Sequence, residues 1–230
     1  MPARTHYIQS RWIEGDGAEL VSVDPATGEA LWTGRAASPA QIEQAVSAAR
    51  GALEAWSGLE LIHRIEYLEV FQELLRKNRR SLAETVSREV GKPLWESLGE
   101  VDAMIGKVPL SIEAYAERRT PAAVELPDGV AQTLYRPHGV LAVFGPFNMP
   151  GHLPNGHILP ALLAGNTVVF KPSEQTPLVG QAMVELWESA ELPAGTLNLV
   201  QGGRDVGSAV AGHGGVDGVL RGNHGAVVRW

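Results

Sequence analysis

The sequence predicts an α/β protein built on a parallel, helix-covered sheet. Three observations carry that reading. Residues 137–174, PHGVLAVFGPFNMPGHLPNGHILPALLAGNTVVFKPSE, run as an apolar β-branched segment, a Gly-Pro turn, a helical segment and a second apolar segment. Strand, helix and strand in that order make a parallel crossover. The pattern then repeats: Thr176-Pro177 caps a helix to about Ser189, a Leu192-Pro193-Ala194-Gly195 turn follows, and Thr196 to Val200 reads as another buried strand. Finally, the segments before residue 120 carry apolar residues at helical spacing, the cover that a sheet buried on both faces needs.

Taken in order, Tyr7 to Ile13 and Leu20 to Val23 alternate around the turn Gly15-Asp16-Gly17 and are expected to pair as a hairpin. Asp24 to Gly28 is a turn, and Glu29 to Gly34 a strand. Ser38-Pro39 opens a helix with Ile42, Ala45, Val46, Ala49, Leu53 and Trp56 on one face. Leu61 to Lys77 is a second helix whose end is closed by the basic run Arg76 to Arg80, a solvated helix terminus rather than a phosphate patch. Ser81 to Glu89 is a third, stopping at Gly91-Lys92-Pro93, and Trp95 to about Arg118 a fourth. Thr120 to Val124 is expected as a linker, followed by a turn at Pro127-Asp128-Gly129 and a strand, Val130 to Tyr135. Apolar cover on the helix after Glu174 is expected from Leu178, Ala182, Val184, Leu186 and Trp187.

At 230 residues and 44% hydrophobic composition, the chain has enough apolar material for a core. A net charge of −7 argues against nucleic-acid binding. No signal-type segment and no apolar run of the ~18 residues needed to span a bilayer is seen, so a cytoplasmic location and no membrane partner are expected. Cysteine is absent, so these residues form no disulfide, thiolate metal site or thiol nucleophile. His152 and His157 are five positions apart, off the helical spacing of a zinc pair; they read as packing or turn residues, and no metal is expected.

In an open parallel sheet, ligands bind outside the carboxyl ends of the strands. Asn148 falls at one such end and Lys171 with Glu174 at the next. An Asn amide there can donate to a developing oxyanion, or satisfy the backbone of its own turn. A Lys beside a Glu can bracket vicinal hydroxyls such as those of a ribose; alone, Lys-Pro is common strand punctuation. Gly203 and Gly207 sit at a strand-to-helix turn, where glycine permits a packing turn or close approach to a phosphate.

GPFNMP followed by LLAGNTVVFKPSE resembles the aldehyde dehydrogenase superfamily. PHGVLAVFGPFN and GHLPNGHI resemble its branch of N-succinylglutamate 5-semialdehyde dehydrogenases of arginine catabolism, and GKP at Gly91 to Pro93 and LPAGTLNLVQGG at Leu192 to Gly203 fit the same pattern. The resemblance implies an incomplete Rossmann-like sheet of a cofactor-binding domain, NAD (NADP less so) as cofactor, and a small aldehyde as substrate. It implies Asn148 as oxyanion donor. It places Phe144, Gly145, Pro146, Phe147, Lys171, Pro172, Ser173, Glu174, Gly203 and Gly207 around the cofactor. A negative Glu174 beside the ribose disfavours a 2′-phosphate, hence the lean to NAD.

The division implied is amino-terminal strands and helices over 1–122, an oligomerisation-type β arm over 123–137, a Rossmann-like core over 138–220 and a divergent tail over 221–230. After Val216 to Leu220 the family pattern breaks at Arg221, with Gly222-Asn223 as a possible remnant, and a frameshift, early stop or gene fragment is expected. The family reaction needs a Cys nucleophile, so the chain alone is expected to be inactive. The rival readings are a non-catalytic nucleotide-binding or subunit-pairing module and a non-functional product. A homo-oligomer is expected only of the full-length protein. An open sheet edge and marginal stability are expected too.

Overall fold

A computed structural model describes residues 4–119 and 122–221. The chain starts with a tight antiparallel hairpin, β1 (His6–Ile8) and β2 (Arg11–Ile13), turning at Gln9 and Ser10. Both turn residues are left-handed, φ 51° and 58°, and the Gln9 N–H donates to Asn198 Oδ1 at 3.0 Å. The expected pairing of this stretch with Leu20–Val23 is therefore corrected: the turn lies inside Tyr7 to Ile13. β3 (Glu19–Val23) pairs instead with β4 (Ala30–Arg35) as a separate two-stranded sheet.

α1 (Pro39–Gly58) begins with a full capping box, in which Ser38 and Gln41 satisfy each other's backbone N–H. α2 (Leu61–Lys77) follows the expected span. α3 (Arg79–Val90) starts earlier than expected, because Asn78 ends one helix and opens the next. The basic run is thus split between two helices, and three of its cations, Arg76, Arg79 and Arg80, pair with Glu73, Asp102 and Glu84. α3 stops at Gly91, left-handed at φ 78°.

α4 (Leu94–Arg118) runs through Pro109, which has no N–H for the Ile105 carbonyl; Gln72 Nε2 supplies that donor at 2.9 Å. β5 (Ala122–Leu126) and β6 (Gly129–Thr133) form an exposed hairpin; the segment expected as a linker becomes strand from Ala122 onward.

β7 (Val140–Phe144), α5 (His152–Leu163) and β8 (Thr167–Lys171) form the expected crossover, with Lys171 as the last strand residue. α6 (Pro177–Ser189), β9 (Leu197–Leu199), α7 (Arg204–Ala211) and β10 (Gly218–Arg221) complete the chain. On α6 the fully buried residues include Val179, Met183, Val184 and Trp187; Leu178, Ala182 and Leu186, which were expected inside, are half-buried. Gly222-Asn223 and the rest of the tail lie outside the described residues.

The main sheet has the order β10-β7-β8-β9-β1-β2; its first four strands are mutually parallel, and the amino-terminal hairpin joins antiparallel. Period-two alternation sends Leu141, Val143, Val168 and Phe170 to one face, with α2, α4, α5 and α6. Val140, Ala142 and Val169 go to the other, with α1 and α7. On the larger face Phe71 stacks on Trp187, ring centroids 3.7 Å apart. Full burial of each such side chain contributes about 1.5–3 kcal/mol. No described helix is long and apolar enough to cross a membrane.

Candidate functional site

Parallel register lines up the carboxyl ends of three strands. Phe144 lies beside Lys171 on one side and Arg221 on the other. The loop after β7 and the start of α7 wall a groove of about 640 Å³ above these ends. Gly145, Pro146, Phe147 and Asn148 form one wall, with Phe147 and Asn148 exposed. Lys171, Ser173 and Glu174 form the floor and far side, and Gly203 and Gly207 the α7 wall. Pro172 does not line the groove; it is buried behind it against Gly180, where a Cβ would come within 2.6 Å of the Pro172 ring.

Lys171 is held firmly. Its Nζ donates to the carbonyls of Pro172 and Gly202, both at 2.7 Å, and lies 3.7 Å from Glu174 Oε2. Burial pushes its ammonium below the ordinary lysine range, and the Glu174 carboxylate opposes that shift. The half-exposed Glu174 carboxylate next to a fixed ammonium puts an acceptor and a donor side by side at the groove. Two glycines keep the opposite wall open. A Cβ on Gly203 would meet nothing within 4 Å, and one on Gly207 would project toward Lys171 Cε at 3.6 Å and Phe144 Cε1 at 3.9 Å. The residue whose lack of a side chain the turn requires is Gly202, where a Cβ would lie 2.3 Å from Val206. An extended nucleotide fits this donor set and this uncluttered wall.

Sequence reasoning missed the residues that hold the groove's loops. Glu100 on α4 is almost fully buried, and its Oε1 accepts from the N–H groups of Gly151 and His152 at 2.8 and 2.9 Å. It therefore caps α5 from outside the helix, where no local side chain does so. Its other oxygen pairs with Lys92, which also reaches the Asn148 carbonyl at 3.4 Å. Glu89 does the same for α6, accepting from Leu178 and Val179 N–H at 2.9 and 2.8 Å and from Ser22. Thr176, expected to cap α6, makes no side-chain cap bond. Burial raises the Glu89 carboxyl above the usual range. His6 sits under the Gln201 turn with Nδ1 accepting from the Gln201 N–H at 3.0 Å. Desolvation lowers its imidazole to about 4. Arg204, Ser208 and Ala211 also face the groove, at the helical spacing that Gly207 shares.

The Aldehyde dehydrogenase family profile matches residues 12–221. N-succinylglutamate 5-semialdehyde dehydrogenases of Ectopseudomonas mendocina (strain ymp) and Escherichia coli (strain 55989 / EAEC) are 52% and 53% identical over 216 residues, 94% of this chain and 44% of each relative. The chain thus spans less than half the length of the curated relatives it matches. Among solved structures, a betaine aldehyde dehydrogenase from Staphylococcus aureus in complex with NAD+ superposes with TM-score 0.90 at 28% identity, over 96% of this chain and 46% of that one. An NADP-dependent glyceraldehyde-3-phosphate dehydrogenase from Bacillus halodurans C-125, complexed with NADP, gives 0.88 at 29%, over 95% and 48%. With a profile match spanning nearly the whole chain, and a fold in common with these enzymes, the chain belongs to the aldehyde dehydrogenase family.

Proposed function

We propose that this chain supplies the nucleotide-binding part of an NAD-dependent aldehyde dehydrogenase whose substrate is an aldehyde of the N-succinylglutamate 5-semialdehyde type. The observation that carries the reading is the buried Lys171 ammonium, anchored by two carbonyls beside the Glu174 carboxylate at the end of β8. Lys171 and Glu174 hold the two hydroxyls of the adenosine ribose, one donating and one accepting. Phe144 to Phe147 line the path between them and Asn148, and Gly203 and Gly207 leave room for the nucleotide to lie against α7. When bound, NAD would supply the hydride acceptor for the tetrahedral adduct that an added nucleophile forms at the aldehyde carbon. Asn148 donates from its side-chain amide to the substrate oxygen, where negative charge develops. The family reaction also needs a cysteine nucleophile, and these 230 residues contain none. That group must come from outside this sequence, and the chain by itself should not turn over.

The 52–53% identity to N-succinylglutamate 5-semialdehyde dehydrogenases supports the substrate. The Glu174 charge supports NAD over NADP. A cytoplasmic location, and a homo-oligomer of the complete protein formed through the exposed β5–β6 hairpin, belong to the same proposal. Titration calorimetry with NAD tests it. Saturable binding should weaken at least about tenfold in Lys171→Met, and Glu174→Gln should narrow the gap between NAD and NADP. Absence of heat and of any thermal shift with NAD would sink the reading. Turnover with NAD and an aldehyde by the chain alone would contradict the assignment of the nucleophile to another segment.

A further inference from the structure

α4 and α5 pack closely enough that a Cβ on Gly156 would lie 3.7 Å from Lys107 Cε. Lys107 therefore lies over the glycine, near His152 and His157 on the same stretch of α5. Among the described residues, its ammonium has no carboxylate within ion-pair distance; the neighbouring cation, Lys92, is already paired with Glu100. His152 Nδ1 is buried with no hydrogen-bond partner. His152 is also tied to the Asn148 loop, because Glu100 holds the His152 N–H and Lys92 reaches the Asn148 carbonyl. The cluster begins within four residues of Asn148 and spans the five positions from His152 to His157, about 7.5 Å along α5.

We infer that Lys107, His152 and His157 form a carboxylate-recognition subsite, which holds an acid group on the far end of the aldehyde whose carbonyl faces Asn148. An unpaired ammonium seeks an anion, and two imidazoles can each add an N–H donor. Gly156 provides the clearance, since any larger side chain there would fill the space beneath the Lys107 stem. The titration behaviour of the cluster agrees. Burial first, and Lys107 second, lower both imidazoles below the ordinary histidine value; around His152, Lys92 acts in the same direction as Lys107 and Glu100 against them. Both rings are thus kept neutral near pH 7, and a bound carboxylate reverses the field they feel. The inference rests on the aldehyde-oxidising reading above and adds the chemistry of the substrate's remote end.

The test is an NMR titration of the histidine ring protons in the 230-residue chain, with glutarate as probe and glutaramide as its uncharged control. Glutarate should shift His152 and His157 saturably and raise their titration midpoints, and glutaramide should do neither. Lys107→Met should weaken glutarate binding at least about fivefold and by itself raise both midpoints; Lys107→Arg should restore binding. If Lys107→Met folds poorly, Lys107→Gln serves, with the thermal melt as the check on folding. Absence of glutarate-induced shifts, or equal binding by the Met or Gln variant, overturns the subsite. NAD titrated into the same samples separates the two readings. Carboxylate binding without NAD binding would sink the dinucleotide assignment, and NAD binding without carboxylate binding would sink only this one.

Discussion

Glu100 and Lys92 make the sharpest energetic prediction. Their side chains are 1% and 10% exposed, so the pair is held almost out of water. Glu100→Gln keeps an acceptor oxygen for the Gly151 and His152 N–H groups but leaves Lys92 as an uncompensated, nearly buried cation. Removing one partner of a buried pair costs about 3–5 kcal/mol, and the retained N–H bonds place this case at the lower end, about 3 kcal/mol. For a chain of this size that is a fall in Tm of about 6–12 °C. Lys92→Met leaves Glu100 facing two N–H groups at the positive end of α5, so its cost should be smaller, about 1–2 kcal/mol. The double variant has no orphaned charge and should be more stable than the sum of the single losses by about 1.5 kcal/mol or more. Denaturant melts of the four proteins complete the cycle. Additivity within about 0.5 kcal/mol, or a Glu100→Gln protein within about 1 kcal/mol of the parent, would refute the claim that this pair holds the Asn148 loop.

His6 should impose a pH dependence. Its folded value, about 4, lies below the ordinary 6.5, so the unfolded chain binds more protons between them; stability should be full above about pH 6.5 and be lost as pH falls toward 4, by on the order of 3 kcal/mol. Glu89, raised by burial, acts in the opposite direction as pH falls, so the His6 contribution is isolated by comparison with His6→Gln. That variant keeps an acceptor for the Gln201 N–H and should flatten the slope in urea melts from pH 4 to 7; an unchanged slope would contradict the assignment. Gly99 and Gly106 lie inside α4, where an added Cβ meets nothing within 4 Å. Gly99→Ala and Gly106→Ala should each stabilise the chain by about 0.5–1 kcal/mol, measured as a rise in Tm. A Cβ on Gly202 would meet Val206 at 2.3 Å, so Gly202→Ala should destabilise by about 1–3 kcal/mol and loosen the Lys171 anchor, read as weaker NAD binding.

Local signals carried much of the fold. The Ser38-Pro39 start, the Leu61–Lys77 span, the left-handed stop at Gly91 and the strand–helix–strand crossover all rest on residues within a few positions of one another. The strand ends bearing Asn148, Lys171 and Glu174 followed from the topology of that crossover, and the structure gathers them at one groove. What escaped was either an unusual local conformation or a distant contact. Gln9 and Ser10 turn left-handed without glycine, which hid the first hairpin and sent Leu20–Val23 to the wrong partner. Glu89 and Glu100 cap helices 89 and 51 positions away, and on their own helices they resemble ordinary solvated glutamates. Lys171 read as a lysine near a ribose; that its Nζ is anchored by the Gly202 carbonyl, 31 positions away, is a tertiary fact with no sequence signature.

The most direct test of the central claim is a crystal structure of the chain grown with NAD. The account predicts adenosine density in the groove above β7 and β8, with the two ribose hydroxyls within hydrogen-bond distance of Lys171 Nζ and the Glu174 carboxylate. An empty groove at saturating NAD, or nucleotide bound elsewhere on the chain, would contradict it.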